Sequence, residues 1–456
     1  MPIGATLPPA AEALYEPIAD LPIVSPHGHC DPAWWAGDTA FPDPAALLIQ
    51  PDHYVFRMLC SQGVALSDLG IGPGGEGRDP RAVFRLFAQH WDAFLGTPSR
   101  QWMDYTLVKT LRVETPLSPD TADAVYDAVA ERLAMPDFRP RALFERFGIE
   151  ALATTDTATD PLEHHAAIAA SGWAGRIIPT FRPDDLLNPR RPGHAAALDR
   201  LARMTDREVA RYPDFLDALR DRRAAFRDAG ATATDHDVPS LATGWLDRDR
   251  IAALHARAVT GDLTAEEARA YYGHMLIEMA QMAAEDGMVM QIHAGSRRNT
   301  NAPLFVSHGP DKGADIPVAI DWVGGLTALL NRVGNDPRLR LILFTLDEST
   351  YARELAPMAG HWPCLRIGPP WWFHDSLNGI RRYFDRVVET AGYRNLAGFN
   401  DDTRAFLSIP ARHDTWRRAV ALHLADQVDR GVLDRADAAR LAPCLSRDLA
   451  IETYRL

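Results

Sequence analysis

Two histidines one residue apart, His27 and His29, close a short apolar run that begins at Pro22-Ile-Val-Ser-Pro26. On an extended chain, side chains at i and i+2 project to the same side, so the two imidazoles can converge on one point. Neutral imidazoles that converge suit a divalent transition ion, with Zn²⁺ the favoured occupant. A His-x-His pair also occurs as ordinary surface or core histidine. Its weight therefore depends on what else reaches the same place.

Other apolar runs also end in residues fit for chemistry. One finishes Gly398-Phe-Asn-Asp-Asp-Thr-Arg404, delivering carboxylates and a guanidinium, and another Gln291-Ile-His-Ala-Gly-Ser-Arg-Arg-Asn299. Further runs end at Pro179-Thr-Phe-Arg-Pro-Asp184, at Ala153-Thr-Thr-Asp156 and at Gly368-Pro-Pro-Trp-Trp-Phe-His-Asp375. Each has a plain alternative: Asp156 and Asp402 as helix caps, Arg182 and Arg404 as surface ion pairs, Trp371 and Trp372 as packing.

Eight such runs, at about 23–26, 150–154, 176–180, 231–235, 288–292, 339–344, 364–368 and 395–399, alternate with long helical patterns. That alternation marks parallel strands with crossover helices, and eight strands close a (β/α)₈ TIM-type barrel. In a barrel the C-terminal strand ends share one mouth, which would bring motifs hundreds of residues apart into one pocket. A single barrel domain over 1–456 is expected, with a helical insertion at about 52–147 between the first two strands. Helical stretches at 81–95 and 121–133 fall in it. Elsewhere, Thr264-Ala-Glu-Glu267 is a capping box opening a helix that Gly287 ends, and Asp414 is read as preceding a helix that runs to Gly431. Gly70-Ile-Gly-Pro-Gly-Gly-Glu-Gly77 has no strand leading in and is interrupted by Pro73, so it reads as a surface turn and not a phosphate loop.

With 456 residues, 46% of them hydrophobic, the chain can bury a large core without disulfides. Its formal charge of −13 carries no basic block, which argues against nucleic acid and anionic membranes as partners. An anionic substrate must then be held by a few placed arginines and a cation. The four cysteines are far apart and read as reduced thiols. Neither the opening Met-Pro-Ile-Gly-Ala-Thr-Leu-Pro-Pro nor any run of about 18 apolar residues suggests export or a membrane span, so a cytoplasmic location is expected.

The ordered blocks resemble the uronate (glucuronate) isomerase family of the amidohydrolase superfamily. They are Pro22 to His29, Asp52-His-Tyr-Val-Phe-Arg57, Thr154-Thr-Asp156, Phe181-Arg-Pro-Asp184, His293-Ala-Gly-Ser-Arg-Arg-Asn-Thr-Asn301, Trp371-Trp-Phe-His-Asp375, and Asp402-Thr-Arg404 with Phe406-Leu-Ser408 and Arg412-His-Asp414. The chain departs from the family in placing Ser25-Pro26 before the histidines and Gly28 between them, where an acidic residue and a cysteine are common.

The resemblance implies reversible aldose–ketose isomerisation of D-glucuronate to D-fructuronate, and of D-galacturonate to D-tagaturonate, through a cis-enediolate. It implies His27, His29 and Asp402 as ligands of a divalent metal, with Asp402 also shuttling a hydroxyl proton during ring opening. His293 is either a further ligand or a hydrogen-bond partner of substrate. His53 and Tyr54 are the candidates for moving the C2 proton. Tyr54, with an ordinary pKa near 10, would need a cation such as Arg404 beside it. Arg182 is offered to the substrate carboxylate as a two-pronged donor, and Trp372 would wall the pocket with Trp371 behind it. Self-assembly of identical chains is expected. A metal-dependent hydrolase or decarboxylase of the same superfamily, or a sugar-acid binding protein, would keep the ligands without using the His53–Tyr54 pair.

Overall fold

The structure, a computed structural model, describes residues 6–456; Met1 to Ala5, at the start of the segment read as lacking a leader, lie outside the described residues. The strands are β1 (Ile23–Ser25), β2 (Ile149–Ala153), β3 (Asp156–Thr157), β4 (Ile177–Ile178), β5 (Phe181–Arg182), β6 (Ala233–Val238), β7 (Val289–Ala294), β8 (Ser296–Arg297), β9 (Ile316–Pro317), β10 (Leu341–Thr345) and β11 (Leu365–Ile367). All but the short β8–β9 hairpin pair in parallel, in two ladders ordered β1-β2-β4 and β11-β10-β7-β6-β5-β3. β3 prolongs β2 and β5 prolongs β4, bridged by the amides of Thr154 and Asp156 donating to Ile178 and Thr180 carbonyls. The two ladders therefore form one barrel wall.

Each of the eight apolar runs supplies part of that wall. β7 and β10 are buried along their whole length, as strands covered on both faces must be. The eighth run contributes a single bridge, Leu396 to Ile367, instead of a ladder. Beyond it the wall meets β1 through two backbone hydrogen bonds: the Asp402 amide donates to the His27 carbonyl (3.2 Å) and the His29 amide to the Thr403 carbonyl (3.0 Å).

Between β1 and β2 the chain runs through short helices, among them Pro44–Leu48, His53–Ser61, Pro80–Gln89, Pro98–Tyr105, Ala122–Ala134 and Pro140–Arg146. They enclose an apolar cluster of their own around Phe84, Phe87, Phe94 and Leu143. The helix expected over 81–95 ends at Gln89; a separate turn, Trp91–Phe94, follows.

The larger cluster fills the space between the barrel and the surrounding helices, with Trp322, Trp416, Leu341 and Met279 wholly or almost wholly buried. Each such side chain contributes roughly 1.5–3 kcal/mol of burial. The capping box predicted at Thr264 and Glu267 opens the helix Ala265–Asp286, and Gly287 closes it in the left-handed region (φ 80°). Midway, Gly273 lies so close to the Ala242 carbonyl that a Cβ would stand 2.0 Å from the oxygen, so only glycine fits. Asp414 does not precede its helix. It lies inside Ile409–Asp429, because Pro410 near the start of that helix sets the first turn and the Asp414 carboxylate is occupied by Tyr15 and Arg418. The 70–77 segment is a set of turns with Gly70, Gly72, Gly74 and Gly77 at positive φ.

Candidate active site

The loop after β1 carries His27, buried, and His29, a quarter exposed. Because the amides of Asp402 and His29 bond across the seam, the last strand end is held in register with the first. One Asp402 oxygen, Oδ1, lies 3.5 Å from His27 Nε2 and 3.1 Å from His29 Nε2. A tetrahedral ion with bonds near 2.0 Å spaces its ligand atoms about 3.3 Å apart. Asp402 Oδ1 thus stands at ligand spacing from both imidazoles, the three donors lie within 4.8 Å of one another, and a borderline ion such as a divalent transition metal fits their chemistry. Gln291 Nε2 lies 3.5 Å from His27 Nδ1, on the ring edge away from Asp402.

Burial pushes His27 down to about 4, which keeps its imidazole neutral, the form that binds metals. Burial opposes ionisation of Asp402 too, but His27 and His29 outweigh it and hold the carboxylate below its ordinary range. Asp402 has φ 42°, in the left-handed region that few residues other than glycine adopt. Strain of this kind persists where surrounding contacts over-determine it.

His293, on β7, stacks on His27 with ring centroids 4.8 Å apart and donates from Nδ1 to Asp235 Oδ1 at 2.6 Å. That bond leaves Nε2 as the free lone pair, and it is buried without a partner. Asp235, on β6, ends the apolar run at 231–235, and no motif in the sequence marks it for the site. A carboxylate orienting an imidazole is a recurrent support for ligating histidines. His27, Asp235 and His293 form a second group whose donor atoms lie within 4.8 Å of one another.

Arg182, at the end of β5, is not free. Its guanidinium meets Asp184 (2.6 Å), Asp235 (3.3 Å) and Asp237 (3.7 Å), and 21% of the side chain remains exposed. Three carboxylates already answer its charge. Arg404 has one acidic partner, Asp311 at 3.2 Å, and both are substantially exposed.

His53 and Tyr54 form the first turn of His53–Ser61, capped by Asp52, whose carboxylate accepts from the Tyr54 amide. Burial, with Arg404 second, pushes His53 down to about 3; Asp311, His29 and Asp402 also act on it, so these groups share one mouth. Its Nδ1 is buried and unpartnered. The expectation that Arg404 would activate Tyr54 does not hold. The Tyr54 hydroxyl donates to Asp375 Oδ2 at 2.9 Å, the nearby cation is Arg412, and burial pushes the phenol well above its ordinary value. Arg404 instead meets Asp311, which lies between β8 and β9.

Trp372 lies against His53 (4.7 Å between centroids) and Tyr54, and Trp371 against His293 (4.7 Å). The two indoles therefore meet different residues of the site, Trp372 at His53 and Tyr54 and Trp371 at His293. Asp375 and Arg412 fall within the quoted blocks, yet only the structure brings them together.

A parallel barrel whose mouth gathers two imidazoles and a carboxylate has the plan of the amidohydrolase superfamily. The model of the glucuronate isomerase family matches residues 8–451. A uronate isomerase of Rhizorhabdus wittichii is 56% identical over 446 residues, covering 98% of this chain and 95% of its own. The crystal structure of the glucuronate isomerase from Caulobacter crescentus superposes with a TM-score of 0.97 at 48% identity, covering 99% of this chain and 95% of that one. That of the Thermotoga maritima uronate isomerase gives 0.92 at 27% identity, over 98% and 97%. The chain belongs to the glucuronate isomerase family, and with it to the aldose–ketose isomerases. No described helix is long and apolar enough to cross a membrane.

Proposed function

We propose that the chain interconverts D-glucuronate with D-fructuronate, and D-galacturonate with D-tagaturonate, through a cis-enediolate, with His27, His29 and Asp402 holding Zn²⁺. The observation that carries this is the meeting, at one mouth, of a metal-type ligand set with the adjacent pair His53–Tyr54. A hydrolase needs the ligands but no second acid–base pair set for proton transfer between carbons.

When bound, the ion supplies a concentrated positive charge that favours an anionic, hydroxyl-rich substrate. Asp402, kept ionised between two imidazoles, accepts the ring hydroxyl proton as the sugar opens. His53 and Tyr54 face the C2 proton. Neutral His53 is free to accept it and return it to C1, as is the Tyr54 hydroxyl if its own proton has somewhere to go. Arg404, two residues beyond Asp402 and held only by Asp311, is available to the developing enediolate oxygen. The remaining N–H groups of Arg182 take the substrate carboxylate, and His293 Nε2 accepts from a substrate hydroxyl or joins the ligand set. Trp371 and Trp372 exclude water from the reacting carbons.

The test is incubation of metal-loaded protein with D-glucuronate in heavy water. Deuterium is expected on C1 of the fructuronate formed. Sugar recovered unchanged and unlabelled from folded, metal-loaded protein overturns the assignment, and metal content measured on the same sample tests Zn²⁺.

A further inference from the structure

We infer that Asp375 is a positioning residue of the isomerisation, receiving the phenolic proton of Tyr54 while Tyr54 takes the substrate's C2 proton. The inference rests on the isomerase reading above.

Asp375 ends the loop after β11, far in sequence from Tyr54, yet its Oδ2 accepts from the Tyr54 hydroxyl at 2.9 Å and from Arg412 Nη1 at 2.8 Å. With its hydrogen committed to Asp375, the Tyr54 oxygen has only lone pairs to offer elsewhere. It is then an acceptor by construction. The side chains of all three residues are less than a tenth exposed, so the chain of hydrogen bonds is shielded from water. Asp402 acts electrostatically on both Tyr54 and Asp375, which puts the chain beside the mouth and not behind the barrel.

Oδ1 of Asp375 is buried with no partner among the described residues, an arrangement that penalises the anion. Burial raises Asp375 above its ordinary value in spite of Arg412, while Tyr54 is raised well above its own. A free tyrosinate is thus avoided, and the phenol passes its hydrogen to Asp375 only as it gains one from the substrate. The loop that delivers Asp375 holds Phe373 at φ 54°, a strained backbone fixed by Trp372 stacked on its ring and Arg57 over it.

In the step itself, the C2–H bond breaks and its electron pair becomes the C1–C2 double bond, while the carbonyl pair moves to O1. The proton goes to the Tyr54 oxygen, whose own hydrogen passes to Asp375 Oδ2. Once the O2 proton has passed to O1, running the relay backwards delivers the proton to C1 as the enediolate double bond gives way to the C2 carbonyl, and Arg412 keeps its charge throughout. The difficulty of a neutral tyrosine acting as base is thereby removed without any cation beside the phenol other than Arg412.

The decisive variant is Asp375→Asn, which keeps an oxygen for the Tyr54 hydroxyl but accepts no proton. General acid–base groups contribute about 10²–10⁴-fold, so kcat is expected to fall at least about 100-fold while KM changes less than about three-fold. The isotope effect with C2-deuterated glucuronate should rise as proton transfer becomes limiting. In a Tyr54→Phe background, Asp375→Asn should cost almost nothing more, since Asp375 acts through Tyr54. If the asparagine variant does not fold, Asp375→Glu preserves the charge facing Arg412 but misplaces the oxygen, and the same split is expected, about ten-fold or more in kcat. Wild-type turnover with kcat retained in the variant that folds, or losses that add in the double variant, overturn the relay and leave the isomerase standing. No turnover by metal-loaded wild type overturns both.

Discussion

Asp235 joins two residues that sequence places in different roles: one oxygen accepts from His293 Nδ1 at 2.6 Å and the other faces Arg182 at 3.3 Å. Burial alone would raise this carboxyl, but His293 and Arg182 outweigh it and hold it well below its ordinary value. The imidazole beside His27 is therefore oriented by a carboxylate that depends on Arg182 for its charge balance.

Replacing Arg182 should accordingly damage the fold as well as substrate affinity. Arg182→Met removes the cation that Asp184, Asp235 and Asp237 share, leaving them with Arg191, His293 and Arg298 respectively, and breaking a buried pair typically costs about 3–5 kcal/mol. Arg404→Met removes one exposed pair worth about 0–1 kcal/mol, so stability should hold while turnover collapses. Urea unfolding and uronate assays on both variants check this; equal stability of the two would refute the electrostatic account of Arg182.

Asp402 is expected to control metal retention. Asp402→Ala should lower bound metal by at least about ten-fold, read by elemental analysis after dialysis against a weak chelator, because two imidazoles alone leave the ligand set open. Asp402→Asn keeps a side chain tolerant of positive φ, so its thermal stability should exceed that of Asp402→Val. Removing metal from the wild type should lower Tm, since an ion bound at 100 times its Kd stabilises by about 2.7 kcal/mol.

Acid should unfold the protein through its buried imidazoles. Burial pushes His236 and His53 down to about 3 and His27, His165 and His423 down to about 4, each below the ordinary 6.5. A depressed pKa contributes stability that is complete above 6.5 and is lost as pH falls toward the folded value. Each group adds a slope of up to about 1.4 kcal/mol per pH unit in that window. Asp156, raised by burial to about 7, and Asp184, raised to about 6, act in the opposite sense but are fewer. The urea midpoint should therefore drop between pH 6.5 and 4.5, and a flat or rising midpoint would contradict the protonation balance.

Gly28 separates His27 from His29. A Cβ there would meet Ala153, Asp401 and Thr403 atoms at 3.6 Å, an ordinary contact, and the backbone is not in the left-handed region. Gly28→Ala should fold and bind metal like the wild type. A loss of metal exceeding about three-fold would mean that the small residue is required.

The apolar runs were legible because strands buried on both faces read as unbroken Ile, Val and Leu, and the turn residues after them marked the mouth. The His27–His29 spacing carried its meaning for the same reason: extended geometry is local. Tyr54 pairs with a residue 321 positions away, and two of the three carboxylates that meet Arg182 come from the neighbouring strand β6. Asp235, Asp375 and Arg412 were visible as residues but not as partners. The boundary missed at Asp414 has a local cause, since a side chain that can cap a helix was instead spent on Tyr15 and Arg418.

The wall between the last strand and the first is stitched by two backbone hydrogen bonds, both within the segments that carry His27, His29 and Asp402. A cation gripped by those side chains would rivet the cylinder at a seam where its lacing is thin. Chelation should then unzip the N- and C-terminal staves from each other before the rest of the molecule loosens, visible as amide hydrogen exchange that quickens first around residues 27–29 and 402–403.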